Sequence, residues 1–279
     1  MWDPEQYRRF AGERSRPFYD LLARIGADRP RLVVDLGCGP GDLTAELARR
    51  WPGAAVHGID SSPEMIAATA KWAGPADRPD GGPPATVSGG PAGAGAADQG
   101  LSFEQGDVRD WDPAGPVDVI VSTAVLQWVP GHLDLLPRWA GHLSAGGWLA
   151  IQLPGNFDQP PHAVLREMAA SPRWRPLLAG LELNRQAGDP ATYIDVLAGA
   201  GCAVDAWETT YLHVLTGEDP VVEWVKGSAL RPVLTVLDEA RQAEFLAGYR
   251  ERMRAAYPPR PYGTVLPFRR VFCVAHRPA

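Results

Sequence analysis

Residues 33–41, VVDLGCGPG, determine the expected fold of this 279-residue chain. An apolar run ends at Leu36, glycines follow at 37, 39 and 41, and a helical pattern starts at Asp42. Glycine lets the backbone approach a ligand closely, and the N–H groups at a helix N-terminus can face that ligand. The segment therefore predicts a strand, a ligand-binding glycine turn and a helix.

Strands and helices alternate on both sides of this segment. Apolar periodicity predicts strands at 32–36, 55–59, 101–105, 117–122 and 148–153, and helices at 17–26, 42–51, 63–72 and 132–143. Such alternation is typical of an α/β protein. The prediction is a Rossmann-like, doubly wound and mainly parallel sheet.

The alternation of strands and helices changes after the fifth strand. Helices are predicted at 159–170, 191–200, 219–228, 232–237 and 238–257, with strands at 203–215 and 269–276. Ligands bind at the carboxyl ends of strands in doubly wound folds, so the helical insertion 217–262 is expected to act as a substrate lid near the C-terminus. We expect one domain, 1–279, with an N-terminal arm and helix at 1–28.

Residues 74–100 are rich in Gly, Pro and Ala and are predicted to form a flexible surface loop, because they offer little apolar surface to bury.

Composition restricts the function classes. The net charge is −6 and no basic run occurs, so a nucleic-acid partner is not expected. No segment approaches the roughly 18 apolar residues of a membrane span, and the N-terminus lacks the pattern of a signal peptide. Three widely spaced cysteines predict neither a disulfide framework nor a metal site. We expect a soluble cytoplasmic protein.

Glycine spacing distinguishes two cofactor classes. A dinucleotide fingerprint would require a third glycine at position 42, where the chain has Asp42, an anion that would repel a pyrophosphate. S-adenosylmethionine carries no phosphate, and its ammonium and sulfonium groups would favour the nearby carboxylate of Asp35. The spacing therefore favours S-adenosylmethionine, bound at Asp35, Gly37, Gly39 and Gly41, over a nicotinamide cofactor.

Acidic residues also end the second and third strands. Asp60, with Ser61 beside it, could accept hydrogen bonds from both ribose hydroxyls; the alternative for Asp60 is a helix N-cap. Asp107 could accept a hydrogen bond from the adenine amino group while Val108 packs on the ring; the alternative for Asp107 is a turn aspartate. These residues complete the predicted cofactor site.

These motifs resemble those of class I methyltransferases, and further segments resemble the trans-aconitate 2-methyltransferase family. The similar segments are AGERSRP at 11–17, GIDSSP at 58–63, LQW at 126–128, TTY at 209–211 and LRP at 230–232. The glycine motif is widespread, whereas ERSRP, LQW and LRP are more specific to the family. The 74–100 loop departs from its pattern. The resemblance implies a carboxyl O-methyltransferase that forms the monomethyl ester of trans-aconitate.

An acid substrate shapes the remaining expectations. An ionised carboxylate is already a nucleophile at neutral pH, so we expect no general base and no catalytic residue beyond those that position the substrate. Fixed cations should hold a small polycarboxylate, and Arg16 and Arg231 are the candidates, with Arg14 a weaker one. The alternative for each is a surface ion pair.

Three aromatic residues complete the candidate substrate site. Trp128 could form a wall of the pocket and exclude water, or pack in the core. Tyr7 and Tyr211 could donate hydroxyl hydrogen bonds. His132 and His162 could reach the site as bases for another acceptor, but neither belongs to a recognisable pair. A methyltransferase for another small acid or hydroxylated metabolite, a non-catalytic S-adenosylmethionine-binding protein and a nicotinamide oxidoreductase remain as alternatives.

Overall fold

A computed structural model of the chain describes residues 11–72, 100–185 and 187–279. Tyr7 and the rest of residues 1–10 lie outside the described residues, as does the predicted 74–100 loop apart from Gly100. Within the described part, no helix is long and apolar enough to cross a membrane.

The observed elements follow the predicted alternation. The helices are α1 Ala11–Leu22, α2 Asp42–Arg50, α3 Pro63–Ala68, α4 Leu135–Gly141, α5 Pro160–Ala170, α6 Arg175–Leu178, α7 Pro190–Gly199, α8 Pro220–Lys226, α9 Arg231–Val236 and α10 Glu239–Ala256. The strands are β1 Leu32–Leu36, β2 Ala55–Asp60, β3 Leu101–Gln105, β4 Val117–Thr123, β5 Leu143–Pro154, β6 Ala203–Leu215 and β7 Thr264–His276. Short 3₁₀ helices cover Thr69–Lys71, Leu126–Trp128 and His132–Asp134.

Helix α1 differs most from its prediction. The sequence placed Pro17 in the first turn, because proline lacks the N–H that an interior position needs. Among the described residues the helix covers Ala11–Leu22 and continues through Pro17, whose side chain is buried. The predicted helix 17–26 was therefore wrong at both ends, since Pro17 lies in the helix interior and the helix ends at Leu22.

The seven strands form one sheet in the order β3-β2-β1-β4-β5-β7-β6. Strands β1 to β5 are parallel to their neighbours. Strand β7 runs antiparallel to β5, since Gly146 N–H donates to the Arg277 carbonyl and Gly155 N–H to the Arg269 carbonyl. The prediction of a mainly parallel, doubly wound sheet is confirmed.

The chain reverses its direction of strand addition at β1, which lies between β2 and β4. Val33 and Leu36 of β1 and Val119 and Ile120 of β4 are fully buried. This burial explains the continuous apolar runs in the sequence. Ligands of doubly wound sheets bind beside such a reversal, so the fold places the turn at 37–41 at the expected position.

The chain forms two compact units. The sheet unit comprises 20–152, 191–206 and 272–279, and the helical unit comprises the described part of 1–19, together with 153–190 and 207–271. The sheet unit holds β1 to β4 and most of β5. The helical unit holds α5, α6 and α8 to α10.

The helical unit has its own apolar core. Val222, Leu230 and Phe245 are fully buried in it, and the ring of Trp174 meets that of Phe245 edge-on with centroids 5.2 Å apart. Helices α8 to α10 lie between β6 and β7, where the sequence predicted a helical block. A lid function for this block remains a prediction.

Replacing Tyr249 with Phe should destabilise the protein by about 1–3 kcal/mol. The hydroxyl of the fully buried Tyr249 donates to the carbonyl of Pro161 over 2.7 Å, and its loss would leave a buried acceptor unsatisfied. Chemical denaturation measures the change. Tyr19→Phe, at a ring that is 46% exposed, is the matched control and should change stability by less than about 0.5 kcal/mol. Equal stability of the two variants would contradict the prediction.

Candidate cofactor and substrate sites

The glycine turn after β1 depends on backbone conformations that favour glycine. Gly37, Gly39 and Gly41 have φ angles of 84°, 55° and 80°. A Cβ atom on Gly37 would lie 2.0 Å from Cγ2 of Val125, and one on Gly41 would lie 2.8 Å from the ring of Phe103. A Cβ on Gly39 would meet nothing within 4 Å. The turn is therefore close-packed at its two ends and open at its centre, where a ligand can approach the backbone.

Asp60 fixes the open centre of this turn. Its Oδ2 accepts the N–H of Gly39 at 2.9 Å, and its Oδ1 accepts the N–H of Ser62 at 2.9 Å. The N-cap of α3 is Ser62, whose Oγ accepts the N–H of Met65, so the cap does not require Asp60. Each carboxylate oxygen can still accept another hydrogen bond. A ribose diol could provide those donors.

Asp35 is an acid in an apolar setting. Its side chain is 2% exposed, and Oδ2 accepts the hydroxyl of Thr44 at 2.7 Å. Burial raises the pKa of Asp35 to about 6; the Thr44 hydrogen bond lowers it, and the charge of Asp60 raises it. Oδ1 of Asp35 has no hydrogen-bond partner among the described residues. A cationic ligand nearby would stabilise the ionised form, so this carboxylate fits a cofactor that carries positive charge.

The other cofactor candidates lie at the ends of β2 and β3. Both oxygens of Asp107 accept hydrogen bonds from the Arg109 guanidinium, at 3.0 and 2.6 Å, which lowers the pKa of Asp107. Asp107 therefore has the partners of a turn aspartate and retains lone pairs for a ligand. Val108 is buried, and Ser61 is exposed with its carbonyl accepting from Gln105 at 3.3 Å. The adenine contacts remain predictions.

The structure adds residues that the sequence analysis did not select. Phe103 packs against Gly41 and Gly58, and Val125 packs against Gly37. Ala124 has φ 55°, and its N–H donates to the Gln152 carbonyl at 2.8 Å. A strained alanine has no signature in a single sequence, since its conformation results from tertiary packing.

Trp128 lies close to Val125, the residue that packs against Gly37. It ends the 3₁₀ helix Leu126–Trp128, and its backbone N–H donates to the carbonyl of Val125 at 2.8 Å. Its side chain is 51% exposed, which excludes the alternative of a core packing residue. A large exposed indole one turn from Val125 can cover part of a ligand.

Arg16 and Tyr211 meet in the helical unit. The Arg16 guanidinium carbon lies 5.1 Å from the centroid of the Tyr211 ring. The Tyr211 ring, 3% exposed, stacks on His213 with centroids 6.2 Å apart, and His213 stacks on Trp224 at 4.8 Å. The packed rings hold Tyr211 in place beneath the exposed Arg16. Two of the predicted substrate residues are thus together.

The remaining candidates are more dispersed. Arg231 is exposed at the first position of α9. His132 lies 2.9 Å from the hydroxyl of Tyr193 in the sheet unit, and burial lowers the pKa of His132. Tyr7 and the side chain of Arg14 lie outside the described residues. The structure therefore supports the pairing of Arg16 with Tyr211 and leaves Arg231 as a separate candidate.

Comparison with known proteins gives the family. A family described as "Methyltransferase domain" matches residues 7–205. A trans-aconitate 2-methyltransferase of Streptomyces avermitilis is 52% identical over 100% of this chain and 97% of its own length. The enzyme of the same name from Mycobacterium tuberculosis is 46% identical over 99% of this chain and 96% of its own length. The chain belongs to the trans-aconitate 2-methyltransferase family.

Solved structures support the fold of this methyltransferase. The YcgJ protein of Bacillus subtilis is similar with a TM-score of 0.55 and 10% identity, covering 94% of this chain and 97% of its own. A Haloferax volcanii methyltransferase, in complex with its Trm112 activator, has a TM-score of 0.54 and 19% identity, covering 98% of this chain and 92% of its own. At such identities the likeness shows the fold alone.

Two glycine variants of the methyltransferase should separate stability from ligand binding. Gly37→Ala should cost several kcal/mol of folding free energy, because its Cβ would clash with Val125 in a left-handed conformation. Gly39→Ala should cost only about 1–2 kcal/mol but weaken S-adenosylmethionine binding about 10-fold or more, because its Cβ enters the open centre of the turn. Thermal unfolding and titration calorimetry measure the two effects. Unchanged cofactor affinity in Gly39→Ala would contradict the predicted location of the ligand.

The raised pKa of Asp35 predicts how stability and binding depend on pH. The pKa rises from 3.8 to about 6 on folding, so the protonated acid stabilises the fold below about pH 4 and this contribution is lost as pH rises through 6. Asp35→Asn should therefore be more stable than wild type above pH 6, by up to about 3 kcal/mol, with no difference below pH 4. Denaturation across pH measures this.

The same variant tests the ligand role of Asp35. Asp35→Asn should lower S-adenosylmethionine affinity, and wild-type affinity should fall as pH drops below 6 while that of the variant stays flat. Parallel affinity profiles in the two proteins would show that the Asp35 charge does not act on the cofactor.

Proposed function

We propose that this enzyme transfers the methyl group of S-adenosylmethionine to a carboxylate oxygen of trans-aconitate. The products are the monomethyl ester and S-adenosylhomocysteine. The observation that carries the proposal is the open glycine turn, held by Asp60 beside the buried Asp35, in a chain 46–52% identical to the curated trans-aconitate 2-methyltransferases compared above.

The sheet unit supplies the proposed cofactor site. Asp60 accepts the ribose hydroxyls, the backbone at Gly39 provides the close approach, and Asp35 supplies negative charge towards the cationic part of the cofactor. Asp107, with Val108 and Ser61 nearby, binds the adenosine end. When bound, S-adenosylmethionine supplies an electrophilic methyl group on a sulfonium.

The enzyme has to position the acceptor carboxylate rather than activate it by removing a proton. A carboxylic acid with a pKa near 4 is ionised at neutral pH, so no residue has to remove a proton. The methyl carbon and the attacking oxygen must be held in line at near van der Waals contact. Arg16 above Tyr211, and Arg231 on α9, are proposed to bind the acid, with Tyr7 as a further donor; Trp128 is proposed to exclude water.

Three further parts of the proposal concern the whole chain. The helices within 217–262 act as a lid over the substrate, and the chain works as a single methyltransferase domain. The enzyme acts in the cytoplasm. In support of that location, Cys38, Cys202 and Cys273 are all buried free thiols, as is usual in a reducing compartment.

The direct test offers purified enzyme and S-adenosylmethionine three acids in parallel: trans-aconitate, cis-aconitate and citrate. Mass spectrometry should detect a singly methylated product, formed fastest from trans-aconitate. A faster reaction with another small acid would replace the substrate and keep the reaction. Binding of S-adenosylmethionine without any ester would support a protein that binds the cofactor without turnover.

Variants of the candidate arginines test how the acid is bound. Arg16→Gln and Arg231→Gln should each lower kcat/KM for the acid about 10-fold or more, because a charged hydrogen bond contributes about 1.5–3 kcal/mol. Tyr211→Phe keeps the ring under Arg16 and removes only the hydroxyl, so it separates the two contributions. Steady-state kinetics at saturating S-adenosylmethionine give the result. Unchanged kcat/KM in either arginine variant would remove that residue from the site.

A further inference from the structure

The turn that follows β4 lies beside the glycine turn, within the sheet unit. Strand β4 pairs in parallel with β1, so both turns lie at the carboxyl edge of the sheet. The hydroxyl of the buried Ser122 donates to the carbonyl of Leu36 at 2.8 Å, which joins the end of β4 to the residue before Gly37. The Val125 side chain fills the space that a side chain on Gly37 would occupy. The position of Val125 therefore affects the conformation of the glycine turn.

Ala124, between β4 and Val125, has an unfavourable backbone conformation. Its φ angle of 55° is in the left-handed region, where the Cβ atom comes too close to the backbone. Among the residues that the structure describes, only Ala124 and Asp219 combine a side chain with a positive φ. Such strain persists only where the surrounding structure enforces it, and it is concentrated at functional sites. The contacts that enforce it at Ala124 are therefore of functional interest.

Two hydrogen bonds hold Ala124 in this conformation. Its N–H donates to the backbone carbonyl of Gln152 at 2.8 Å, and its carbonyl accepts a hydrogen bond from Nε2 of Gln127 at 2.6 Å. The first bond joins two backbone groups, so it does not depend on the type of side chain. The second depends on the amide of a single residue, Gln127.

The same amide is only partly satisfied. Oε1 of Gln127 is buried and has no hydrogen-bond partner among the described residues. A buried acceptor without a partner costs free energy, and an apolar side chain of the same length would avoid that cost. One turn thus contains both a strained alanine and an unsatisfied amide oxygen. Such local losses of stability are expected where a site requires a fixed geometry.

We propose that Gln127 is a positioning residue for S-adenosylmethionine. Its side-chain amide holds Ala124 in the left-handed conformation, and Ala124 in turn places Val125 against Gly37. This packing keeps the glycine turn in the conformation that is open to the cofactor, so Gln127 acts without touching the ligand. The inference rests on the proposed cofactor site and is independent of which acid is methylated.

Hydrogen exchange in the ligand-free, full-length enzyme tests the effect on the turn. Gln127→Met keeps the length of the side chain and removes the amide. The N–H groups of Gly37 and Cys38, which both donate to the Ile59 carbonyl, should exchange about fivefold faster or more, because the packing that holds the turn is weakened. Gln127→Leu is a second variant with the same expected result. Unchanged exchange in both variants would overturn the proposal.

Cofactor binding tests the consequence for function. Titration calorimetry should show that Gln127→Met binds S-adenosylmethionine and S-adenosylhomocysteine about fivefold more weakly or worse. The loss should be equal for the two ligands, because they differ only in the methyl group and the charge on sulfur. Wild-type affinity in the variant, or a loss confined to S-adenosylmethionine, would contradict a role in positioning the turn.

Relief of the strain separates positioning from direct contact. Glycine adopts a φ of 55° without the cost that alanine has, so Ala124→Gly reduces the need for the Gln127 amide. In the Gln127→Met background, Ala124→Gly should recover about threefold or more of the lost affinity, and alone it should change affinity less than about twofold. If affinity is not recovered, Gln127 does not act through Ala124 and the proposal is wrong.

Ser144→Ala is the matched control for folding. The Ser144 hydroxyl donates to Oδ1 of Asp118 at 2.7 Å, so this variant also loses one side-chain hydrogen bond of the sheet unit, but at the amino ends of β4 and β5. Its unfolding midpoint should fall at least as far as that of Gln127→Met, with exchange at Gly37 and both affinities unchanged. Weaker cofactor binding by Ser144→Ala would show that general destabilisation explains the effect.

The results also distinguish this inference from the proposed function. If Gln127→Met changes both exchange at Gly37 and cofactor affinity while the wild-type enzyme methylates no acid, the proposed reaction fails and the role of Gln127 stands. If ester forms while exchange and affinity in Gln127→Met equal those of the wild type, the role of Gln127 is wrong. A wild-type enzyme that binds no S-adenosylmethionine would overturn both.

Discussion

The carboxylate of Asp60 is the interaction on which the ligand-binding end of the sheet depends. It accepts N–H groups from Gly39 and Ser62, and thereby joins the turn after β1 to the turn after β2. The carbonyl of Ile59 reinforces the same junction by accepting the N–H groups of Gly37 and Cys38. Gly37 also has no space for a side chain beside Val125, so the turn is closely packed as well as hydrogen-bonded. A preformed turn binds its ligand without a further ordering cost.

The position of Asp35 shows a conflict between stability and function. Burial of this acid raises its pKa, so the ionised form destabilises the fold at neutral pH, and Thr44 offsets only part of that cost. An amide, which could still accept the Thr44 hydroxyl but carries no charge, is expected to fold more stably there above pH 6. A carboxylate is useful when the ligand brings positive charge, as S-adenosylmethionine does. Local violations of the rules of stable folding are expected at binding sites.

The arginines of the helical unit differ in what surrounds them, and this difference sets what each can contribute. Arg231 is exposed on α9, whereas Arg16 lies over a buried tyrosine ring. Arg166 is partly buried and donates to the carbonyl of the buried Phe157. Charge-assisted hydrogen bonds are stronger where water is excluded.

The sequence alone determined the order of the elements, the mainly parallel sheet and the cofactor turn. These features follow from local patterns: apolar runs buried on both faces, glycines at fixed spacing, and acids at strand ends. The bounds of β1, β3 and β6 were predicted correctly. Helix α1 was misplaced because Pro17, a residue typical of a first turn, lies buried in the interior of the helix.

Only the tertiary structure decided which polar side chains share a location. It brought Arg16 to Tyr211 from distant parts of the chain, and it packed His162 and Arg166 against Phe157. It also showed Trp128 as an exposed residue and Asp35 as a buried one. Burial and pKa depend on atoms contributed by distant segments, so a one-dimensional pattern carries no record of them.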